Sequence, residues 1–460
     1  MVLRLRSSLA SWVAVSLLAA CAPPPPPPME DVVSRDSCTG AACRDSAQSE
    51  AGGNDGSVDM DGSSSMEGGA GDDGGLDGSM MGADASDAQT SEVGVVVGRC
   101  TGVMASPLEL GSEPRQQARR AFVAQSAAGY FVGYPLQVGG GDSVVFQRIS
   151  TAGASLGTTN VVAALPVART VGGAFTVTPT GFASVFASNY EMGLDIYMQR
   201  LDAMGATTGA TIRVAQDNEL SEDPQVVRTS AGEVVVWRST NDMLGGTRLL
   251  SSLVNGSAAG AAINVGPMMT QASSFDMVTD GTRIAVALVA RNSLGQGNVF
   301  LQILNANGAL QNSVQLTTGA FVSEAVSVAL MGTDAVVSWT VRNADGTFRL
   351  RRVNLDTGTA GPEMVIAGFG FDVSQASIAP DRDGLVAAMR TTTPMGARVA
   401  VGRIGPSLML REGLSAIAPS GPGDQVRIVA RGDGTFGVAW ADETPMPMNT
   451  TVKFQLVRCP

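Results

Sequence analysis

The chain has 460 residues, 44% of them hydrophobic, enough for two or three average domains or one large all-β domain with a buried core. It contains no histidine, which removes the commonest general acid/base, the usual metal ligand and every Ser-His or Cys-His catalytic pair. The net charge of −12 divides into +2 over residues 1–28, −13 over residues 29–92 and −1 over the remainder, so a basic nucleic-acid footprint is missing.

Arg4 and Arg6 head an uncharged, mostly apolar run of twelve residues, Leu9 to Ala20. That run is too short to span a bilayer but suits the h-region of an export signal, assigned to residues 1–20. Leu18-Ala19-Ala20-Cys21 resembles the lipobox of bacterial lipoproteins. The resemblance implies cleavage before Cys21, a diacylglycerol on its thiol and acylation of the new amine. The membrane is then a partner through the lipid, at about 0.8 kcal/mol per buried CH₂. Ala22 rather than Asp after the cysteine implies, by the same resemblance, the outer membrane, facing periplasm or exterior. The alternative is an ordinary signal cut after Ala20, with Cys21 a chance residue.

Residues 21–99 read as a tether. Pro23 to Pro28 should form a stiff polyproline II rod rising about 3.1 Å per residue. The Gly/Ser/Asp/Met stretch that follows is too polar to offset its ordering entropy and is expected to be disordered. "DMDG" at Asp59 to Gly62 starts like a calcium loop, but Ser63 and Ser64 break the ligand pattern, so no metal is expected there. Cys38 and Cys43, in "CTGAAC", can close a small disulfide loop in an oxidising compartment.

Beyond Cys100 the chain repeats. The glycines that open short apolar runs are Gly129, Gly181, Gly232, Gly281, Gly332, Gly384 and Gly434, at intervals of 52, 51, 49, 51, 52 and 50 residues. The last apolar residues of the next run are Ile149, Leu201, Leu253, Leu304, Val353, Ile404 and Val457, at intervals of 52, 52, 51, 49, 51 and 53. Two landmarks on one period indicate a true repeat. Each unit reads as four short strands joined by Gly/Asp/Asn turns. The second strands are apolar throughout, as in a sheet covered on both faces, and end on Tyr134, Phe186, Trp237, Leu288, Trp339, Met389 and Trp440. Packing between neighbouring sheets is the expected role of these large residues.

Seven units of four strands look like a seven-bladed β-propeller over residues 100–460, an all-β fold of antiparallel blades. The units resemble the blade repeats of uncharacterised bacterial surface lipoproteins, a likeness of architecture that implies no activity. A β-helix or two stacked sandwiches fit the period less well. The seventh unit lacks a fourth strand, and "SPLEL" before the first unit matches that position. Pro107 to Leu110 should therefore complete the last blade, with Cys100 beside Cys459 in a ring-closing disulfide.

In propellers the second-to-third-strand loops and the inter-blade loops share one face. Asn189, Tyr190, Glu191, Asn241, Asp242, Asn292, Asn343, Asp345, Asp442 and Glu443 are the candidate ligand-binding residues on that rim, against the plain reading that exposed β-loops are rich in Asn and Asp. Amides and carboxylates there suit a glycan or protein ligand. "RGDGTFGVAW" and "RNADGTF" echo part of the sialidase-type S-x-D-x-G-x-T-W box without completing it, and no catalytic residue is assigned. The expectation is a monomeric, lipid-anchored envelope propeller presenting a binding or scaffolding face, without cofactor, metal or nucleic acid. The alternatives are a secreted polysaccharide hydrolase or lyase and a structural subunit of an envelope assembly.

Overall fold

The computed structural model describes residues 99–113, 121–138, 141–163, 170–189, 193–215, 219–241, 246–267, 271–292, 295–319, 322–342, 347–366, 372–393, 396–419, 425–444 and 449–460. Residues 1–98, which hold the expected signal, all but the last residue of the expected tether, Cys21, Cys38 and Cys43, lie outside them. The described part is a seven-bladed β-propeller of four-stranded antiparallel blades. The innermost strands are Phe122–Ser126, Thr170–Thr178, Leu220–Arg228, Gln271–Thr279, Val322–Met331, Asp372–Asp381 and Val426–Ala430, one each for blades 1 to 7. Each touches the innermost strand of the next blade, and that of blade 7 touches that of blade 1, so the ring is closed. Blades 4 and 5 are also joined by a parallel bridge between Gly297 and Val322.

The second strands are covered on both faces, which is why they read as unbroken apolar runs; Gly181–Ser188 is buried at every residue. Among the described residues seven hydrophobic cores lie between consecutive blades, and each holds one of the seven repeat-defining large residues. Trp237 packs with Val185 and Met198 of blade 2, Trp339 with Val289 and Leu301 of blade 4, and Trp440 with Val386 and Val399 of blade 6. The inter-sheet packing expected of them is present. The large residues do not end their strands, however. Glu233–Asn241 continues past Trp237, because Ser239 and Thr240 still pair with Arg248 and Thr247 across the ladder.

The glycine landmark is steric at Gly129, Gly181, Gly232 and Gly384, while Gly281 and Gly332 hold a left-handed φ. Gly181 has φ +152°, and a Cβ there would fall inside contact distance of the Leu201 carbonyl on the neighbouring strand. The outer strand of blade 3 is interrupted, Ala258–Ala259 and Ile263–Asn264 pairing separately with Gly246–Asn255.

Closure uses both ends of the domain. Leu108–Glu113 pairs antiparallel with Asn449–Arg458, Leu108 opposite Phe454, and Thr101–Gly102 extends the ladder opposite Arg458 and Val457. The expected fourth strand is therefore present, running to Glu113 rather than ending at Leu110. Tyr134 of blade 1 donates its hydroxyl to the Leu110 carbonyl at 2.7 Å, tying the closing strand to the next blade. Cys100 and Cys459 form the expected disulfide, their Cα atoms 4.2 Å apart.

One further device repeats around the ring. A side chain on the third strand of one blade donates to a carbonyl at the end of the next blade's third strand or in the turn that follows. The bonds are Arg200 Nη1 to Gly256 O at 2.5 Å, Ser251 Oγ to Gly308 O at 2.7 Å, Arg352 Nη2 to Pro406 O at 2.6 Å and Arg403 Nη1 to Pro460 O at 2.5 Å. The first three satisfy turn carbonyls that would otherwise rely on water.

Candidate functional site: the axial cavity

The innermost strands enclose a cavity of about 370 Å³ on the ring axis, lined by residues of all seven blades. Its character follows from one repeat position. Val123, Ala174, Gln225, Asp276, Ser327, Ser377 and Arg427 succeed one another at 51, 51, 51, 51, 50 and 50 residues. All but Ser327, which is buried behind the wall, line the cavity.

From blade 3 onward this position stitches adjacent blades. Gln225 Nε2 donates to Phe275 O at 2.8 Å. Asp276 Oδ2 accepts from Ser327 Oγ at 2.8 Å and from Val328 N at 3.1 Å. Ser327 Oγ accepts from Ile378 N at 3.2 Å, and Ser377 Oγ from Ile428 N at 3.3 Å. Inner-strand N–H groups facing the axis have no further strand to pair with, so these side chains satisfy them. Arg427 breaks the pattern: it reaches across to Asp276 Oδ1 at 3.2 Å, joining blade 7 to blade 4 on the far side of the ring.

Blades 1 and 2 supply an apolar wall instead. Phe122 and Phe175 pack with ring centroids 5.1 Å apart, beside Val123 and Ala174. Two glycines make room for them. A Cβ on Gly173 would sit 3.0 Å from Phe122 Cζ, and one on Gly133 would collide with both rings. The cavity is thus two-sided: aromatic and aliphatic on one wall, amide, hydroxyl and ion pair on the other.

Two lining residues hold a left-handed backbone without being glycine, Asp223 at φ +52° and Gln425 at φ +69°. Such conformations cost of order 1–3 kcal/mol each and concentrate at binding sites. Asp223 begins a bulge at which the register of Leu220–Arg228 shifts between Glu222 and Gln225. Its carboxylate pairs with Arg238, which also holds Glu222 Oε2 at 3.1 Å and the Ser273 carbonyl at 3.1 Å. Burial depresses the Arg238 guanidinium from its ordinary value, and Glu222 opposes that. Both carboxylates on the cavity wall, Asp223 and Asp276, are therefore held by arginines. Among the described residues no group of three or more His, Cys, Asp or Glu could hold a metal ion.

Only half of the rim residues expected from sequence fall among the described residues. Tyr190, Glu191, Asp242, Asn343 and Asp345 lie outside the described residues. Asn189 is exposed next to its strand end, and Asn292 is engaged in its own turn, accepting from Gln296 N at 3.0 Å and donating to Gln296 Oε1 at 3.0 Å. Asn241 and Glu443 lie within strands rather than loops. Asp442 is also in a strand; its carboxylate is buried and accepts from Lys453 Nζ at 2.5 Å. The axial residues were missed in the sequence. The signal that could have found them is the third landmark itself, polar residues recurring at 225, 276, 327, 377 and 427 on the repeat period.

No family model and no curated protein matches the chain. Among solved structures, a protein of unknown function from Dyadobacter fermentans matches with a TM-score of 0.47 at 10% identity, over 78% of this chain and 100% of its own. An α-L-arabinanase from Penicillium chrysogenum matches with a TM-score of 0.47 at 9% identity, over 77% and 98%. A NanB sialidase from Streptococcus pneumoniae matches with a TM-score of 0.42 at 10% identity, over 76% and 69%. At these identities and scores nothing of their activities transfers to this chain.

Proposed function

We propose that the propeller is a binding module, carried at the outer membrane by a lipid on Cys21, and that its axial cavity seats a neutral, hydroxyl-bearing ligand such as a short segment of glycan. The two-sided cavity carries this reading. Phe122 and Phe175 offer aromatic surface to the C–H face of a sugar ring, and Gln225 and Gln425 offer amides to its hydroxyls. The ion pairs Asp276–Arg427 and Asp223–Arg238 cancel the local charges, which suits an uncharged ligand. Carboxylates held this way serve positioning better than proton transfer, so binding is favoured over hydrolysis.

The test is calorimetric titration of the purified full chain with a panel of neutral oligosaccharides. At least one should bind, Gln225→Ala should weaken it about tenfold, and Ala174→Phe, which fills the cavity, should abolish it. Undiminished binding by the folded Ala174→Phe variant would remove the cavity from the argument. Product release that depends on Asp276 would move the reading to a hydrolase. Palmitate labelling that survives Cys21→Ala would refute the anchor.

A further inference from the structure

A second cavity, of about 390 Å³, lies in the outer groove between blades 4 and 5, lined in part by Thr317, Trp339, Arg349, Arg351 and Glu363. Its chemistry departs from the repeat. The third-strand residue paired with the large second-strand residue is Val145, Tyr197, Leu250, Phe300 and Ala400 in blades 1, 2, 3, 4 and 6. In blade 5 it is Arg349, opposite Trp339. Blade 7 has Lys453 there, whose ammonium is taken by the buried Asp442. Two residues further along the third strand, blades 1, 2, 4 and 7 carry Gln147, Gln199, Gln302 and Gln455, whereas blade 5 carries Arg351. The first of these positions is apolar or aromatic in five other blades and Lys453 in blade 7, and the second is Gln in four, Ser252 in blade 3 and Gly402 in blade 6, so two arginines on one face of one strand serve no repeat-wide packing need.

The partners of Arg351 leave binding capacity over. Arg349 Nη1 donates to Glu363 Oε1 at 2.5 Å. Arg351 donates only to carbonyls among the described residues, from Nε to Gly361 O at 2.6 Å and from Nη1 to Leu316 O at 2.6 Å, and has no carboxylate partner. The Trp339 indole N–H is buried without an acceptor. Trp237 and Trp440 share that feature, so the two arginines are what set blade 5 apart. A donor-rich pocket with one uncompensated guanidinium calls for an anion. Glu363 beside it would repel a bare anion but would accept from hydroxyl groups.

From this arrangement we infer that the groove between blades 4 and 5 is a binding site for an acidic sugar of the uronate class. Arg351 takes the carboxylate, and Glu363 takes the ring hydroxyls. The site is separate from the axial cavity and does not depend on what that cavity holds. The test is titration of the full chain with glucuronate, glucose and acetate, followed by ligand-observed NMR. Glucuronate should bind, with glucose and acetate each at least about tenfold weaker. Arg351→Gln restores the residue that four other blades carry, so it should keep the unfolding midpoint while weakening glucuronate about tenfold or more. Ala174→Phe in the axial cavity should leave glucuronate binding unchanged. Failure of glucuronate to bind, equal binding of acetate, or full affinity in Arg351→Gln would each overturn the assignment.

Discussion

Cutting the disulfide that closes the ring should cost the propeller much of its margin of stability. Cys100 and Cys459 are separated by 359 residues, so the bond constrains nearly the whole domain in its unfolded state. Chain-entropy reasoning puts the stabilisation of a loop that long at about 6 kcal/mol at 25 °C, an upper bound, while bonds of this kind usually give about 2–5 kcal/mol. The β-ladder from Thr101–Gly102 and Leu108–Glu113 to Asn449–Arg458 survives the cut, so the native fold persists and the loss falls on the unfolded-state side. Urea unfolding followed by tryptophan fluorescence reads this directly, since Trp237, Trp339 and Trp440 are all buried between blades. The oxidised protein should exceed both the reduced protein and the Cys100→Ser/Cys459→Ser variant by about 3–5 kcal/mol. Reductant should have no effect on the double variant, which isolates this bond from Cys38 and Cys43. Equal midpoints with and without reductant, or recovery of Cys100 and Cys459 as free thiols in non-reducing peptide mapping, would refute the reasoning.

Two further outcomes follow from packing and charge. Trp339→Ala empties a core shared by blades 4 and 5 and should cost about 3–5 kcal/mol in urea unfolding, with Trp339→Phe costing less than half as much; equal costs would mean the site tolerates the void by collapse. Burial alone would raise the Asp280 carboxyl, but bonds from Arg283 N, Thr282 Oγ1, Thr282 N and the Arg283 guanidinium outweigh it and hold the group well below the usual carboxylate range. A carboxyl depressed on folding stabilises above its unfolded value near pH 4 and loses that contribution as pH falls toward its folded value. The unfolding midpoint should therefore drop between about pH 4 and pH 2, and Asp280→Asn should flatten part of that drop; an identical acid profile in the variant would count against it.

What was legible in the sequence is what every blade must repeat. The glycine recurs because the chain there either admits no Cβ, as at Gly181, or takes a left-handed φ, as at Gly281 and Gly332, and a large residue such as Trp237 recurs because each inter-blade gap needs filling. Both leave periodic marks. The closing strand was legible as a deficit, since the last unit lacked a fourth strand that the first supplied in advance. The axial cavity was not legible as a site, because Val123, Gln225 and Arg427 share a position but no chemistry. Only closure of the ring brings Arg427 onto Asp276, 151 residues earlier. The pairing of Asp442 was not legible for a related reason. It sits near a strand end, where acidic residues are usually solvated, but the register sets Lys453 within reach and turns it into a buried pair.

The joining of residues 101–113 to residues 449–458 also dictates an order of assembly. The first stretch of the domain to be synthesised waits for the last, and its strand edge stays open until Asn449–Arg458 has been made. Contacts so distant in sequence make for slow maturation and a long-lived, edge-exposed intermediate.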